Sequence, residues 1–277
     1  MAYTYLLNAL DANRWRIVQP TTYMADVSME RSAVKVPGRP GEIPAGSTPA
    51  PRPLILRLFP ARELGLDRLM DDLSTLLTMP SLTVTRVTPE GSRTAEAVLE
   101  GHSWDGRSVP SVHAPVIVNL SLPGVWWRDP STIDVSLEAG AQSILPVGVP
   151  PTERVGSAPI TDAVMRFDLG ASAPSITDVL TGTGVSVDNN ATSTQYTYID
   201  AGQLHAWVST SASAWSAPSS GRLDHLVSYP GPGPLSITPQ IRLGATGTAD
   251  ERWAARARVA DVVASHAVVL RYRRSWW

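Results

Sequence analysis

Apolar and polar residues alternate with a period of two along most of this chain. In "PLILRLFP", Leu54, Leu56 and Leu58 share one face, as side chains do on a pleated strand. In "VHAPVIVNLSL", Val112, Ala114, Val116, Val118, Leu120 and Leu122 fall on one face. Ser111, His113, Asn119 and Ser121 fall on the other. Pro115 has no N–H to give a ladder, which demotes this strand toward a sheet edge or places the proline where that position faces solvent. "LNALDANRWRIV" reads as a hairpin turning at Asp11, Ala12 and Asn13. "SLTVTRV", "TPEGSR" and "TAEAVLEGHSW" read as a second hairpin.

One segment has a different period. Leu66, Leu69, Met70, Leu73, Leu76 and Leu77 recur at helical spacing, which predicts a helix from about Ala61 to Met79. Arg62, Glu63, Asp67, Arg68, Asp71 and Asp72 lie mostly off that stripe, and Pro80 stops the helix. The helix is expected to cap one sheet of a β-sandwich-like N-terminal domain. After "WWRDPS" comes "EAGAQSILPVGVPPTERVGSAP", rich in Gly and Pro, which reads as a linker. From Ile160 onward only short strands follow: "AVMRFDL", "SITDVL", "VSVD", "QYTYID", "QLHAWVS", "LDHLVSY", "LSITP", "RARVADVV" and "AVVLRYRR". Such close spacing predicts an antiparallel β-sandwich. The expected domains are residues 1–140 and 141–277, in a mainly β chain.

Residues 31–53 stand outside this pattern. The stretch "VKVPGRPGEIPAGSTPAPRP" is proline-rich and carries Lys35, Arg39 and Arg52 against one acid, Glu42. Proline excludes a helix and an inner strand here. The segment is also longer than ordinary connections. It reads as a projecting arm.

Composition narrows the functions. The chain has 277 residues, 43% of them hydrophobic, and a net charge of −2. That balance is wrong for a protein that grips nucleic acid through a basic surface, so no sequence-specific nucleic-acid binding is expected. With no cysteine, disulfides and thiolate metal sites are excluded. The first residues lack a signal-peptide pattern, and no apolar run reaches the length of a membrane span. The expectation is a soluble chain made in a cytoplasm.

No catalytic constellation emerges. His102, His113, His205, His225 and His266 show no metal-binding spacing. Glu100 and His102 share a strand face, which reads more simply as a solvated face than as a metal site. There is no G-x-S-x-G elbow and no P-loop, and "TGTGVSV" lacks the third glycine of a dinucleotide fingerprint. No enzyme, cofactor or metal is expected. Nine tryptophans beside two phenylalanines are unusual. His205 and Trp207 share a strand face, and Trp215 lies in the loop beyond. Such aromatics stack on a sugar or a partner protein, or else pack at a sheet rim with the N–H in water.

The order of elements then becomes informative. A hairpin leads to the loop Val36, Pro37, Gly38, Arg39, Pro40, Gly41. A strand, one helix, a hairpin, a strand ending near "PGVWWRDP" and a second unit holding "YTYIDAGQLHAW" follow. This resembles the distal tail protein (Dit) family of long-tailed phages with non-contractile tails. The family's loop is like V-P-G-R-D-G, and Pro40 here replaces the acid. Its C-terminal domain is galectin-like, with an Ile-Asp pair matched by Ile199 and Asp200. "DHLVSYPGPGPLSIT" and the final "VVLRYRRSWW" fit the same plan.

The resemblance implies a structural virion protein at the tail tip, with a galectin-like β-sandwich as its C-terminal domain. It implies a homohexameric ring of N-terminal domains. One face would meet the tail tube protein and the other the tail-tip hub protein or baseplate, with the tape measure protein a further neighbour. In such a ring the arm cations Lys35, Arg39 and Arg52 are candidates to meet Asp67, Asp71 and Asp72 on the helix of a neighbour. The alternative is a lectin-like module that recognises host carbohydrate through Trp207 and Trp215.

Overall fold

The computed structural model describes residues 4–18, 28–35, 43–61, 65–103, 114–138, 140, 142–145, 156–171, 173–188, 191–219, 227–228, 235–238, 240–243, 249–260 and 267–276. The chain is mainly β, with a single helix among the described residues. It divides into two compact units, Met1–Trp127 and Arg128–Trp277.

The first unit carries β1 (Thr4–Leu7), β2 (Trp15–Val18), β3 (Met29–Val34), β4 (Ile43–Pro49) and β5 (Arg52–Pro60). It continues with α1 (Leu66–Thr78), β6 (Leu82–Thr88), β7 (Gly91–Ser103) and β8 (Val116–Leu122), and runs into the short β9 (Trp127–Arg128). Strands pair in the order β7-β6-β1-β2-β5-β8, and β8 pairs back onto β7. The expected sandwich-like sheet is therefore a closed six-stranded barrel.

The device that closes it is β7. Its first half pairs with β6 from Gly91 to Ala97, and its second half pairs with β8 from Val98 to Ser103. A bulge between Leu99 and Gly101 bends the strand where it changes partner. Closure removes the sheet edges. β8 accordingly has a partner on each side, so its expected edge position is corrected. Pro115 stands just before the strand and takes no ladder position.

The period of two sets the core. On β5 burial alternates through Arg52, Leu54, Leu56, Leu58 and Pro60. Val116, Val118, Leu120 and Leu122 are the buried face of β8. Each such aliphatic side chain contributes roughly 1.5–3 kcal/mol by leaving water. The predicted helix is described over Leu66–Thr78. Met79 is extended ahead of Pro80, as the residue before a proline prefers. Leu69, Leu73 and Leu76 are buried, while Met70 and Leu77 remain exposed beside a shallow apolar cleft shared with His102, Val116 and Val118.

The second unit holds β10 (Ile133–Glu138), β11 (Gln142–Leu145), β12 (Val164–Phe167), β13 (Ser175–Asp178), β14 (Gly184–Val187) and β15 (Tyr196–Asp200). These are followed by β16 (His205–Ser209), β17 (Val227–Ser228), β18 (Gln240–Leu243), β19 (Ala249–Ala260), β20 (Ala267–Tyr272) and β21 (Ser275–Trp276). One sheet runs β10-β20-β12-β15-β16 and the other β11-β19-β13-β14-β17, with β18 on β19. Met165, Phe167, Ile199, Val268 and Leu270 of the first share one buried cluster with Ile176, Val185 and Val187 of the second. That is a sandwich-like packing of two antiparallel sheets. The segment read as a linker begins at the last residue of β10 and supplies a strand of its own, β11. Among the described residues of "LSITP", Ile237 alone bridges, to Ile160.

Candidate functional site

The arm takes a definite form. β3 and β4 pair antiparallel from Met29↔Pro49 to Val34↔Ile43, with a bulge between Ser32 and Ala33. Among the described residues this ribbon joins no other sheet. Both of its strands are edges, which is where prolines such as Pro44 and Pro49 are tolerated. The Ala50 N–H donates to the Ser28 carbonyl at 2.8 Å and pins the base. Met29, Glu30, Ala33 and Lys35 are exposed.

The candidate charges separate. Lys35 lies at the end of β3, and Arg39 is outside the described residues. Arg52 is not on the ribbon: it opens β5 and is buried. Asp67 and Asp71 are exposed on α1. Asp72 is engaged within its own unit. It accepts hydrogen bonds from Arg14 Nη1 at 3.1 Å and Trp15 Nε1 at 2.8 Å, tying the helix to the β1–β2 turn.

The candidate aromatics meet on the outer face of the second unit. Cross-strand register places Ser136, Val269, Arg166, Tyr198 and Trp207 in one row and Asp134, Arg271, Val164, Asp200 and His205 in the next. Both rows face away from the core, which holds Val135, Leu270, Met165, Ile199 and Ala206. Tyr198 and Trp207 stack at 5.3 Å with an interplanar angle of 2°. Trp215 meets Tyr198 edge-on at 5.7 Å.

The loop after β16 closes over these rings. Trp207 Nε1 donates to the Ala214 carbonyl at 3.0 Å, and the Tyr198 hydroxyl donates to the Ser211 carbonyl at 2.7 Å. Burial raises the Tyr198 pKa and keeps the hydroxyl a neutral donor. Trp207 is 1% exposed. Its ring is a packing element, and its N–H reaches a carbonyl where the rim reading expected water.

Cations finish the layer. Arg271 stands 3.9 Å from the Trp215 ring centre and Arg166 stands 5.6 Å from it. Arg271 also grips Asp134 with Nε at 2.7 Å and Nη2 at 2.6 Å. That hydrogen bonding lowers the Asp134 pKa and raises that of Arg271. None of Asp134, Arg166, Tyr198 or Arg271 stands out by sequence spacing, because their neighbours come from other strands.

The two tryptophan-bearing motifs "WWRDP" and "RYRRSWW" also meet. Within the second unit, Arg128 Nη1 donates to Asp162 at 2.6 Å and Arg273 Nη2 donates to the same carboxylate at 2.8 Å. Trp276 Nε1 donates to Asp129 at 2.6 Å. Arg128 further reaches Ser275 and Thr161. At the Ile199–Asp200 pair, Ile199 is in the core. Asp200 Oδ1 accepts from the N–H groups of Gly202 and Gln203, both at 2.9 Å, which shapes the polar turn.

Among the described residues no group of acids and histidines is gathered to hold a metal.

No protein-family model and no curated protein sequence matches the chain. Among solved structures, it is similar to the SPP1 Dit (gp 19.1) protein, described as a paradigm of hub adsorption apparatus in Gram-positive infecting phages. The TM-score is 0.56 with 12% identity, over 100% of both chains. At that identity the likeness is one of fold. Two structures of the phage P2 baseplate in its activated conformation, with Ca and with Sr, match 99% of this chain and 98% of theirs. Their TM-scores are 0.44 and 0.43 at 10% and 9% identity, too low to carry an argument.

Proposed function

We propose that this chain is a structural protein of a phage tail tip, acting through interfaces and not through catalysis. The observation that carries the reading is the whole-chain likeness in fold to a Dit protein, with both units covered on both sides. In this reading the first unit forms a homohexameric ring that links the tail tube to the tail-tip hub, and the second, galectin-like unit decorates the outside.

The ribbon supports the ring. A lone two-stranded hairpin is marginally stable in water, so β3 and β4 gain from lying on another surface. A closed ring uses a heterologous interface, in which one surface of each subunit meets a different surface of the next. A ribbon that, among the described residues, pairs with no strand of its own barrel suits that geometry. Lys35 and Arg39, which follow β3 in the sequence, are the proposed cations of that contact, and Asp67 and Asp71 on the helix of a neighbour are their proposed partners. Asp72 and Arg52 drop out of that pairing, the first because Arg14 and Trp15 already hold it, the second because it belongs to the barrel.

A carbohydrate-binding module has less support. Trp207 is buried, and Arg271 occupies one face of Trp215.

The test is replacement of residues 31–49 by a short Gly-Ser linker. The monomer should keep its β-sheet signal and cooperative melting, since the barrel strands are untouched. Hexamers, read by native mass measurement or electron microscopy, should be lost. Rings that form as readily as in the parent would sink the arm, and a parent that stays monomeric and joins no tail would sink the ring.

A further inference from the structure

The barrel's first inward position on β5 is a charge. Arg52 is 5% exposed, level with Leu122 at the end of β8. Among the described residues, the buried charged side chains of the first unit are Arg52 and Arg86, both cations. Arg86 has company of its own, with its guanidinium 4.6 Å from the Trp127 ring centre. Arg52 Nη1 is buried with no hydrogen-bond partner. Burial lowers the Arg52 pKa, and Tyr5 lies near enough to oppose part of that shift. Tyr5 lies opposite Arg86 in the ladder and 6.3 Å from Trp127. The four side chains thus gather at one end of the barrel. Pro51 and Pro53 on either side of Arg52 are exposed, so this end lies next to solvent.

A buried guanidinium without an acceptor is costly, and its planar fork matches a carboxylate. We propose that the Arg52 end of the barrel is a receptor for a carboxylate, bound at the unpaired Nη1. The carboxylate comes either from an acidic side chain of a second copy of this chain or from a small free acid. The site does not depend on the tail reading, since it is a property of the isolated barrel.

The experiment is thermal melting of the full chain at pH 7 in increasing glutarate, against sodium chloride at equal ionic strength. The parent should show a rise in Tm that saturates, because the ligand binds the native state alone. Arg52→Met, which fills the stem volume without the charge, should lose that rise. Arg52→Lys keeps the charge without the planar guanidinium and should need about tenfold more glutarate. Should the Met variant fail to fold, Arg52→Gln serves in its place. A parent with no saturable rise, or a Met or Gln variant with the same rise, overturns the proposal. Native mass measurement separates the sources. If saturating glutarate breaks up multimers of the parent, the occupant is an acidic side chain of a second copy. If the mass is unchanged, the occupant is a free carboxylate.

Discussion

Arg271 holds its guanidinium 3.9 Å from the centre of the Trp215 ring while both of the Asp134 carboxylate oxygens accept from it. Asp134 fixes Arg271, Arg271 covers Trp215, and Trp215 meets Tyr198 edge-on above the stacked Trp207. The outer face of this sheet is thus a layered structural element, and its stability should report on each member.

Trp207→Ala should destabilise the second unit by about 3–5 kcal/mol, the usual loss for a buried aromatic. Trp215→Ala, half-buried and held by cations, should lose about 1–2 kcal/mol. Urea unfolding followed by far-UV circular dichroism measures both. Equal losses would mean that Trp207 is not the anchor. Trp207→Ala is consequently a poor probe of sugar binding, because lost folding would mimic lost affinity.

Stability should depend on pH through Asp134. Arg271 lowers its folded pKa, below the unfolded value of about 3.9. The contribution is present above about pH 4 and is lost as pH falls through the folded pKa. Arg271, raised in turn, loses its share only in strong alkali. The Asp134→Asn variant should be less stable than the parent at pH 6 and should converge with it at the acid end. The side chain of Asp134 is 43% exposed, so the gap should be no more than about 1 kcal/mol. A gap that widens on acidification would contradict the pairing.

The Asp162 clasp should be more sensitive. It accepts from two arginines, Arg128 and Arg273. Asp162→Ala should cost about 2–3 kcal/mol, in line with charge-assisted bonds of partly buried groups. Gly156 sits nearby at φ +120°, and a Cβ there would collide with the backbone of Ser275. Gly156→Ala should therefore cost at least as much. Differential scanning calorimetry should show the transition of the second unit falling while that of the first stays in place. A shared shift of both would argue against a clasp internal to the second unit.

Fragment expression tests where the units part. Residues 128–277 should fold alone. Residues 141–277 should not, because they lack β10, whose Val135 and Leu137 belong to the core and whose whole length pairs with β20. Amide protection of the two fragments decides the matter. A shorter fragment as well protected as the longer one would favour a boundary near residue 140.

The sequence alone determined the local elements. Period-two runs located β5, β6 and β8, because a strand buried on one face must alternate. The leucine spacing located α1, and Pro80 ended it, since both depend on residues within a few positions of one another. What needed the tertiary structure were the relations between distant segments. No local signal shows that β7 leaves β6 for β8 and closes a barrel. Nor does one show that "WWRDP" and "RYRRSWW" meet at Asp162, or that Met29–Val34 and Ile43–Pro49 pair as a ribbon. Arg52 makes the point most simply. In the sequence it is one more cation in a polar arm, yet the alternation of β5 turns it into the barrel. Burial of a charge is decided by what the other strands bring to face it, and that is a property of the closed fold.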